Sequence, residues 1–442
     1  MSSPEDSMLR SAMAAHHCGR LTEAEVGYHR VLRKRPNDPH ALYGLGLLSF
    51  HAGALAKGIE LVQRSLVHAP LHGRAWITLG SMHIAAGHKA EAKSAYQRAT
   101  QVAPQLSDGW YNAGICLKNE GDFDGAAVQL RSALACEAPY SAAYDALGSL
   151  LYQQGQDAEA ASTYARWAQR EPDNPRARHM AAAASGRQVP DRAANDYVRA
   201  LFDASAQGFD RNLGELGYRG PELVVAALSQ HSGARNASTS DAAPPAAPAP
   251  PHATPGIVPH TTPGIVPHAT PGTVLNAVLD AGCGTGLCGP LVRPLCRQLS
   301  GVDLSPKMLE RARARGCYDE LVCAELGAFM RSRSGSFDAI VCADTLLYFG
   351  ALQEPLCAAR ETLRDAGLFV FTLEDLESVG ARKEEAHQDY RLELSGRYTH
   401  RESYVREALK TAGFEIGSIS REHLREERSR SVAGFLVVAR AR

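Results

Sequence analysis

The chain has 442 residues, more than a single hydrophobic core ordinarily holds, so its length predicts two or three domains. Its 47 Lys and Arg residues nearly balance 48 Asp and Glu residues, which excludes a strong overall field that would attract nucleic acid or an anionic membrane, and neither is expected as a partner. The ten cysteines are scattered and form no CxxC pair, which argues against a disulfide framework and a zinc site. The sequence shows no 18-residue apolar run and no signal sequence, so we expect a cytoplasmic protein without a membrane span.

The N-terminal part of the chain repeats one pattern. Prolines 36, 70 and 104 are separated by 34 residues each, Pro172 follows two periods later, and Pro139 between them is one residue late. Small residues at fixed places allow two antiparallel helices to approach closely, large residues fill the space between hairpins, and the proline ends the second helix. One period, "AWITLGSMHIAAGHKAEAKSAYQRATQVAP", contains Trp76, Leu79, Gly80, Gly87, Ala92, Tyr96, Ala99 and Pro104.

A 34-residue unit of this kind resembles the tetratricopeptide repeat, which implies an all-α solenoid of stacked helical hairpins. Five units are predicted, and the helix "PRARHMAAAASG" is expected to cap the stack, so the first domain is residues 1–187. Stacked repeats create a concave surface, which favours binding of a protein or peptide partner. The alternative, a scaffold that stabilises or oligomerises its neighbour, stays open.

Two segments of different character follow the repeats. Residues 195–228 have amphipathic helical periodicity, and we assign residues 188–231 to a separate helical segment. Residues 232–273 are rich in Pro and Ala and contain the octapeptides "PHATPGIV", "PHTTPGIV" and "PHATPGTV", which predict a disordered linker. The histidines of these octapeptides (His252, His260 and His268) would lie roughly 25 Å apart in extended chain, so no metal site is predicted.

The stretch "VLDAGCGTGLCG" allows two cofactor interpretations. "GTGLCG" matches the GxGxxG fingerprint in which glycines let a pyrophosphate approach a helix N-terminus. "DAGCGTG" resembles the first motif of class I S-adenosylmethionine-dependent methyltransferases. A pyrophosphate is dianionic, so the carboxylate of Asp280 would be an unfavourable neighbour for it. S-adenosylmethionine carries an ammonium and a sulfonium and no phosphate, so Asp280 favours the methyltransferase interpretation.

Later motifs agree with the methyltransferase resemblance. Asp303 ends the next predicted strand, where either cofactor would use an acid to accept the ribose hydroxyls. The resemblance places Glu325 at the adenine amino group and Ala343-Asp344 where the acceptor site opens. It implies a set of cofactor-binding residues, which are Asp280, Gly282, Cys283, Gly284, Gly286, Asp303, Leu304, Met308, Glu325, Leu326 and Ala343.

Residues 274–442 alternate predicted strands and helices and end in two successive strands, which predicts an α/β Rossmann-like class I methyltransferase sheet with a C-terminal antiparallel hairpin. With the repeats in front, "YVRALFDASAQGFD", "LSGRYTHRESYV" and "VAGFLVVARAR" resemble the bacterial repeat-containing predicted methyltransferases. This resemblance implies that residues 188–231 form a helical lid over the cofactor, with Phe209-Asp210 close to it. Two residues depart from the pattern, since relatives commonly have Asp at Glu325 and Tyr at Ser205.

Candidate catalytic residues are His400 and Tyr348. Methyl transfer is an in-line displacement that depends on positioning, and a general base is needed only for a protonated acceptor. "THRE" also reads as a capping box, which would place His400 in an exposed first turn of a helix. Glu374-Asp375 either orient an acceptor or begin a solvated loop. Arg397 and Tyr398 either bind a carboxylate-bearing substrate or lie on the surface.

The sequence therefore predicts an S-adenosylmethionine-dependent methyltransferase. The methyl group would move to an O or N acceptor on a small molecule, or on a protein or carrier docked on the repeats, and the acceptor itself stays unidentified. The alternative is an interaction scaffold whose Rossmann-like domain binds S-adenosylmethionine without catalysis.

Overall fold

The computed structural model describes residues 3–138, 141–233, 274–379, 388–428 and 430–442. The chain folds as two compact units, Met1–Pro172 and Asp173–Arg442. The predicted linker lies outside the described residues, apart from its first two residues, 232 and 233. Its three histidines and the late proline Pro139 also lie outside them. Among the described residues, no helix combines the length and the apolar composition needed to cross a bilayer.

The first unit is all-α and confirms the predicted array of helical hairpins. Consecutive helices pair as α1 with α2 through α9 with α10, and each hairpin packs on the next. The ten helices are α1 (Pro4–His17), α2 (Leu21–Lys34), α3 (Pro39–His51), α4 (Leu55–His68), α5 (Gly73–Ala85), α6 (Lys89–Val102), α7 (Ser107–Glu120), α8 (Phe123–Ala135), α9 (Ser141–Gln153) and α10 (Asp157–Arg170).

Small residues let the helices of the array approach each other, as the periodicity predicts. A Cβ added at Gly80 of α5 would lie 2.6 Å from the ring of Tyr96 in α6, and one at Gly148 of α9 would lie 2.4 Å from the ring of Tyr164 in α10. The second helix of a hairpin ends two residues before the recurring proline, for example at Val102 before Pro104. The local rules read from the sequence therefore account for the packing of this unit.

The second unit contains nine helices and nine strands among its described residues. The helices are α11 (Pro175–Ser185), α12 (Asn195–Ser205), α13 (Phe209–Glu215), α14 (Gly220–Ser232), α15 (Gly289–Val292), α16 (Pro306–Ala314), α17 (Leu326–Arg331), α18 (Gln353–Thr362) and α19 (Glu402–Thr411). The strands are β1 (Leu275–Ala281), β2 (Cys296–Asp303), β3 (Glu320–Cys323), β4 (Phe337–Cys342), β5 (Leu363–Asp375), β6 (Tyr390–Leu392), β7 (Tyr398–His400), β8 (Phe414–Glu427) and β9 (Arg430–Ala441).

The strands form one mixed sheet. Strands β3, β2, β1, β4 and β5 are neighbours in that order and parallel, β9 runs antiparallel beside β5, and β8 pairs antiparallel with β9. The end of β5 also pairs in parallel with β7, which continues to β6. This confirms the predicted α/β class I sheet with its C-terminal antiparallel hairpin. The carboxyl ends of β1, β2, β3, β4, β5 and β8 meet at one edge, which we call the carboxyl edge.

Helices cover both faces of the sheet, and α14 is one of them. Its fully buried Val224 and Leu228 pack with Val278 of β1 and Val341 of β4 in one apolar layer. The predicted helical lid included this helix, but an apolar side packed on the sheet makes α14 part of the core. Helix α11, predicted to cap the repeats, belongs to the second unit, where Nε2 of His179 lies 2.9 Å from the carbonyl oxygen of Gly396.

Candidate active site

The loop after β1 turns at three glycines that play different roles. Gly282, Gly284 and Gly286 have φ of 74°, 53° and 83°, in the left-handed region that favours glycine. A Cβ at Gly282 would lie 2.1 Å from Thr345 Oγ1, and one at Gly286 would lie 3.0 Å from the Tyr318 ring, so these two permit close packing. At Gly284 the nearest atom would be in the Phe209 ring, 4.0 Å away. The backbone at Gly284 therefore faces open space beneath the predicted lid.

Asp280, at the end of β1, is a buried carboxylate without a cation. It is 1% exposed and accepts a hydrogen bond of 2.6 Å from the hydroxyl of Tyr318. Burial raises the pKa of Asp280 to about 7, against the opposing effect of the Tyr318 hydrogen bond. None of the described residues forms an ion pair with it. A buried carboxylate of this kind fits a positively charged group such as an ammonium.

Asp303 connects the glycine loop with the start of α16. Its Oδ2 accepts from the backbone N–H of Gly284 at 2.9 Å, and its Oδ1 accepts from that of Ser305 at 2.8 Å. Burial raises the pKa of Asp303 in spite of these hydrogen bonds. Each carboxylate oxygen can accept a further hydrogen bond, so hydroxyl donors remain acceptable ligands.

Glu325 caps the N-terminus of α17, where its Oε2 accepts from the N–H of Ala328 at 2.7 Å. Its Oε1 forms an ion pair of 2.9 Å with Arg192. Burial alone would raise the pKa of Glu325, but the backbone N–H groups and the Arg192 guanidinium together hold it below its usual value. Glu325 is therefore an ionised acceptor at the carboxyl end of β3.

Helices α12 and α13 contact the glycine loop and the end of β2. Asp210 accepts from Thr285 Oγ1 at 2.5 Å and pairs with Arg315 at 2.6 Å, and Asp203 accepts from Ser305 Oγ at 2.5 Å. The Phe209 ring packs edge-on against Phe202 at a centroid distance of 5.9 Å, and Phe202 packs in the same way on Tyr348 at 5.5 Å. These two helices therefore contact the segments that follow β1 and β2, and their role as a lid stays a prediction.

The other predicted cofactor residues differ in access. Leu304 and Ala343 are half-buried, and Leu304 offers its carbonyl oxygen to Arg199 at 3.3 Å. Cys283, Met308 and Leu326 are buried, and burial raises the pKa of the Cys283 thiol. The side chain of Leu326 belongs to the apolar layer between the sheet and its helices.

His400 has the surroundings of a structural histidine. It ends β7, is fully buried, and its Nε2 donates to the carbonyl oxygens of Phe349 at 2.9 Å and Gly350 at 3.1 Å. Burial lowers the pKa of His400 to about 4, and its Nδ1 has no hydrogen-bond partner among the described residues. The predicted capping box is wrong, because Arg401 is the N-cap of α19 and forms no side-chain cap. Since the Nε2 proton is held by backbone and Nδ1 is enclosed, the predicted role as general base does not fit this geometry.

The segments after β4 and β5 place charges inside the protein. Glu374 and Asp375 are 4% and 2% exposed, so the alternative that they begin a solvated loop is wrong. Arg397, for which a surface position was the alternative, donates from Nε to Glu374 at 2.7 Å. Tyr398 is fully buried and donates to the carbonyl oxygen of Pro190 at 2.8 Å, so it is not placed to bind a substrate.

Four residues of this region were missed by the sequence analysis. Tyr318 bonds to Asp280, Arg192 pairs with Glu325, and Arg425 pairs with Asp344 and Glu374. The backbone N–H of Arg219 donates to the carbonyl oxygen of Leu424 at 2.9 Å, which brings the adjacent residues Tyr218 and Arg425 near each other. None belongs to a recognisable motif, and the only signal was their position at the ends of predicted elements.

Comparisons with known proteins match both units. The family described as "Methyltransferase domain" matches residues 279–371. Families described as "Tetratricopeptide repeat" match residues 19–76, 73–106 and 141–184. These matches confirm the resemblances drawn from the sequence.

Individual relatives are similar over limited parts. "Methyltransferase-like protein 27" of Homo sapiens is 32% identical over 174 residues, which are 39% of this chain and 54% of that protein. "Cellulose synthase operon protein C" of Xanthomonas axonopodis pv. citri (strain 306) is 29% identical over 171 residues, 37% of this chain and 11% of that protein. A solved structure, a "putative S-adenosylmethionine dependent methyltransferase from Listeria monocytogenes", is 18% identical with a TM-score of 0.32, and covers 38% of this chain and 92% of that one. The chain thus spans about half the length, or less, of these curated relatives.

Proposed function

We propose that this chain, which joins tetratricopeptide repeats to a class I methyltransferase domain, transfers a methyl group from S-adenosylmethionine to an oxygen or nitrogen acceptor. The proposal extends beyond the domain assignment in naming the cofactor residues, the acceptor atoms and the role of the repeats. It rests on the arrangement of side chains at the carboxyl edge, where open α/β sheets bind their ligands.

The observation that carries the proposal is the combination of Asp280 with Gly284. Asp280 is a buried carboxylate with no cation among the described residues, and Gly284 exposes backbone to open space beneath Phe209. A pyrophosphate cofactor would bring two negative charges to this carboxylate, whereas an amino acid ammonium would neutralise it. When bound, S-adenosylmethionine supplies a methyl carbon that its sulfonium already activates.

The residues of the chain bind and orient in this proposal. Asp280 accepts from the ammonium group, Asp303 accepts from the ribose hydroxyls, and Glu325 accepts from the adenine amino group. Phe202 and Phe209 of the lid exclude water from the reacting groups, which strengthens these polar interactions. We assign no proton transfer to His400. Tyr348, beside Phe202, lines the acceptor side.

The repeat array is proposed to bind a protein partner or a carrier of the acceptor, because stacked repeats present a concave surface. A small-molecule acceptor would leave the array with an independent binding role. The alternative of a non-catalytic scaffold shares the cofactor site but predicts no methyl transfer.

Calorimetric titration of the full chain with S-adenosylmethionine and, separately, with NAD tests the proposal. We expect micromolar binding of S-adenosylmethionine, no binding of NAD, and loss of binding in Asp303→Ala and Gly284→Val. Gly335→Val is a matched control for the glycine change, because Gly335 has φ of 58° with no atom within 4 Å of an added Cβ and lies two residues before β4.

Each outcome decides between the interpretations. Binding of NAD, or S-adenosylmethionine affinity that survives Asp303→Ala and Gly284→Val, would contradict the proposed site. Binding that is followed by S-adenosylhomocysteine production in an acceptor screen supports an enzyme. Binding without any turnover across that screen supports the scaffold.

A further inference from the structure

Beyond the cofactor residues, the carboxyl edge holds a group of interacting charges that we call the ionic cluster, made of Asp344, Glu374, Arg397, Arg425 and Glu427. Asp344 follows β4, Glu374 lies near the end of β5, and Arg425 near the end of β8. Strand β4 lies between β1 and β5, so the cluster adjoins the end of β1, where Asp280 lies. It occupies the place where the acceptor would meet the cofactor.

Both arginines of the cluster are held by carboxylates. Arg425 donates to Asp344 Oδ2 at 2.6 Å and also to Glu374, and it lies 3.7 Å from Glu427. Arg397 donates to Glu374 at 2.7 Å and also to Glu427. Neither guanidinium is therefore left to capture an anionic substrate. Among the described residues, three carboxylates face two guanidiniums, which leaves an excess of negative charge in a partly desolvated place.

Asp344 is the carboxylate of the cluster that directly follows β4, and its side chain stays partly open. It is 18% exposed, similar to Arg397 at 20% and Glu427 at 21%, whereas Arg425 and Glu374 are 4% and 5% exposed. Its φ of 52° is a left-handed conformation, and Thr372 fixes it by accepting from the Asp344 N–H at 2.9 Å and donating to Oδ1 at 2.8 Å. Burial raises the pKa of Asp344 against the opposing charge of Arg425, whereas Glu374, buried between two arginines, has a lowered pKa. Asp344 is thus the carboxylate that takes up a proton more readily.

Two phenols, Tyr218 and Tyr348, stand beside the cluster. The charges of Asp344 and Arg425 influence the pKa values of both phenols, and the charge of Asp280 also influences that of Tyr218. Neither hydroxyl has a hydrogen-bond partner among the described residues. Two hydroxyls and two aromatic faces near an excess negative charge are suited to an organic cation.

We infer that the acceptor is an amine, bound as its ammonium form against Asp344 in the region of Tyr218 and Tyr348. This inference rests on the proposed function and names the substrate class of that site. Asp344 accepts one proton from the ammonium and leaves a neutral amine with a free lone pair. The nitrogen–carbon bond then forms as the carbon–sulfur bond breaks, the sulfur keeps the bonding electron pair, and the product leaves as a methylated ammonium.

The experiment measures binding of three matched probes to the full chain saturated with S-adenosylhomocysteine. The probes are phenethylamine, phenethyl alcohol and 3-phenylpropionate, which share an apolar body and differ in the charge of the end group; methylamine and N-methylphenethylamine extend the amine series. We expect an amine to bind about tenfold or more tightly than the alcohol and the acid, and Asp344→Asn to remove this preference. Asparagine tolerates the left-handed conformation, so this variant keeps the backbone of Asp344.

Asp375→Asn is the matched control, because Asp375 is a buried acid at the carboxyl end of β5 that is not part of the ionic cluster. Its partner is Arg421, at 3.1 Å. It is expected to leave the amine preference unchanged. S-adenosylhomocysteine binding is measured for every variant, so loss of the fold or failure of the cofactor site is seen separately from failure of the amine site. If the cofactor product binds and no amine binds more tightly than the alcohol, or the acid binds best, the inference is overturned.

Discussion

The repeat array and the methyltransferase unit achieve close packing in different ways. In the array the same solution recurs, since a glycine of one helix receives a tyrosine ring of another in the pairs Gly44–Tyr28, Gly80–Tyr96 and Gly148–Tyr164. In the methyltransferase unit the distinctive contacts occur once and join distant parts of the chain, such as Asp344 with Arg425. Because its contacts repeat, the packing of the array can be predicted from the sequence. The contacts that occur once, in the methyltransferase unit, are the ones on which the proposed chemistry depends.

The two units also differ in what they bury. The array's interior clusters are apolar, with alanine and leucine predominating. The methyltransferase unit buries Asp280, Glu374 and Arg425 at its carboxyl edge. Charges in a poorly solvated place are costly unless they are paired, so they indicate a site kept for function. Substitutions in the array should therefore alter stability through apolar packing, whereas substitutions at the carboxyl edge should alter it through the pairing of buried charges.

The largest expected effect comes from Arg425→Met in the methyltransferase unit. It removes a cation from Asp344 and Glu374, and breaking a buried pair costs about 3–5 kcal/mol in the free energy of unfolding. All three tryptophans, Trp76, Trp110 and Trp167, lie in the array, so tryptophan fluorescence follows that unit alone. We expect the calorimetric transition of the second unit to move to lower temperature while the tryptophan transition stays in place.

Arg421→Met is the control for that change, because Arg421 pairs with Asp375 but is 54% exposed, and its removal should matter little. Equal shifts in the two variants would show that the ionic cluster contributes no more than a surface pair.

A glycine pair tests the packing of the array. In Gly148→Ala the new Cβ would lie 2.4 Å from the Tyr164 ring, and such overpacking costs about 1–3 kcal/mol. In Gly121→Ala nothing lies within 4 Å of the added Cβ, and the φ of 85° alone costs about 1–2 kcal/mol. Urea unfolding followed by tryptophan fluorescence should rank Gly148→Ala as the less stable variant. The reverse ranking would mean that backbone strain outweighs helix packing in this array.

The pH dependence of cofactor binding tests Asp280, whose pKa is raised to about 7 by burial, with Tyr318 and Asp303 as its polar neighbours. The ligand ammonium binds the carboxylate form, so affinity for S-adenosylmethionine should fall by up to about tenfold per pH unit as the pH drops below 7. The stability of the free protein should depend on pH in the opposite direction. The folded chain binds the Asp280 proton more tightly than the unfolded chain does, so the free energy of unfolding falls as the pH rises from about 4 to 7.

Asp280→Asn should bind S-adenosylmethionine weakly, and its affinity should no longer fall with the protonation of residue 280. Any pH dependence of affinity that remains reports ionisation of the ligand itself. A variant with the wild-type slope between pH 6 and 8 would exclude Asp280 as the ammonium partner.

The smallest expected effect concerns the lid. Asp210→Ala removes the hydrogen bond to Thr285 and the ion pair with Arg315, and we expect a loss of about 1 kcal/mol in binding of S-adenosylhomocysteine. Asp196→Ala is the control, since Asp196 lies on the neighbouring α12 with a side chain that is 82% exposed. Calorimetry at one pH compares the two, and equal affinities would show that the Asp210 contacts do not hold the lid.

Most of the fold could be predicted from the sequence because its signals are local. A 34-residue period, a glycine loop after a strand and alternating strands and helices each depend on neighbouring residues. The lid boundary was predicted less well, because the amphipathic pattern of α14 does not say which surface covers its apolar side. His400 shows the same limit, since "THRE" satisfies a capping rule but pairing of β7 with β5 draws the histidine into the core.

The ionic cluster lay beyond sequence reasoning for a related reason. Arg425 is one of several charges in "REHLREERSR", and alternation along a strand does not identify which of them turns inward. Its partner Asp344 is 81 residues earlier in the chain, and only the antiparallel placement of β9 between β5 and β8 brings the two together. Contacts of this kind depend on the whole topology.

A crystal structure of the full chain with S-adenosylhomocysteine tests the central claim most directly. The account predicts that the ligand lies at the carboxyl edge, with its ammonium on Asp280, its ribose on Asp303 and its adenine amino group on Glu325, beneath Phe209. A ligand bound elsewhere, or bound at this edge without contact to Asp280 and Asp303, would contradict it.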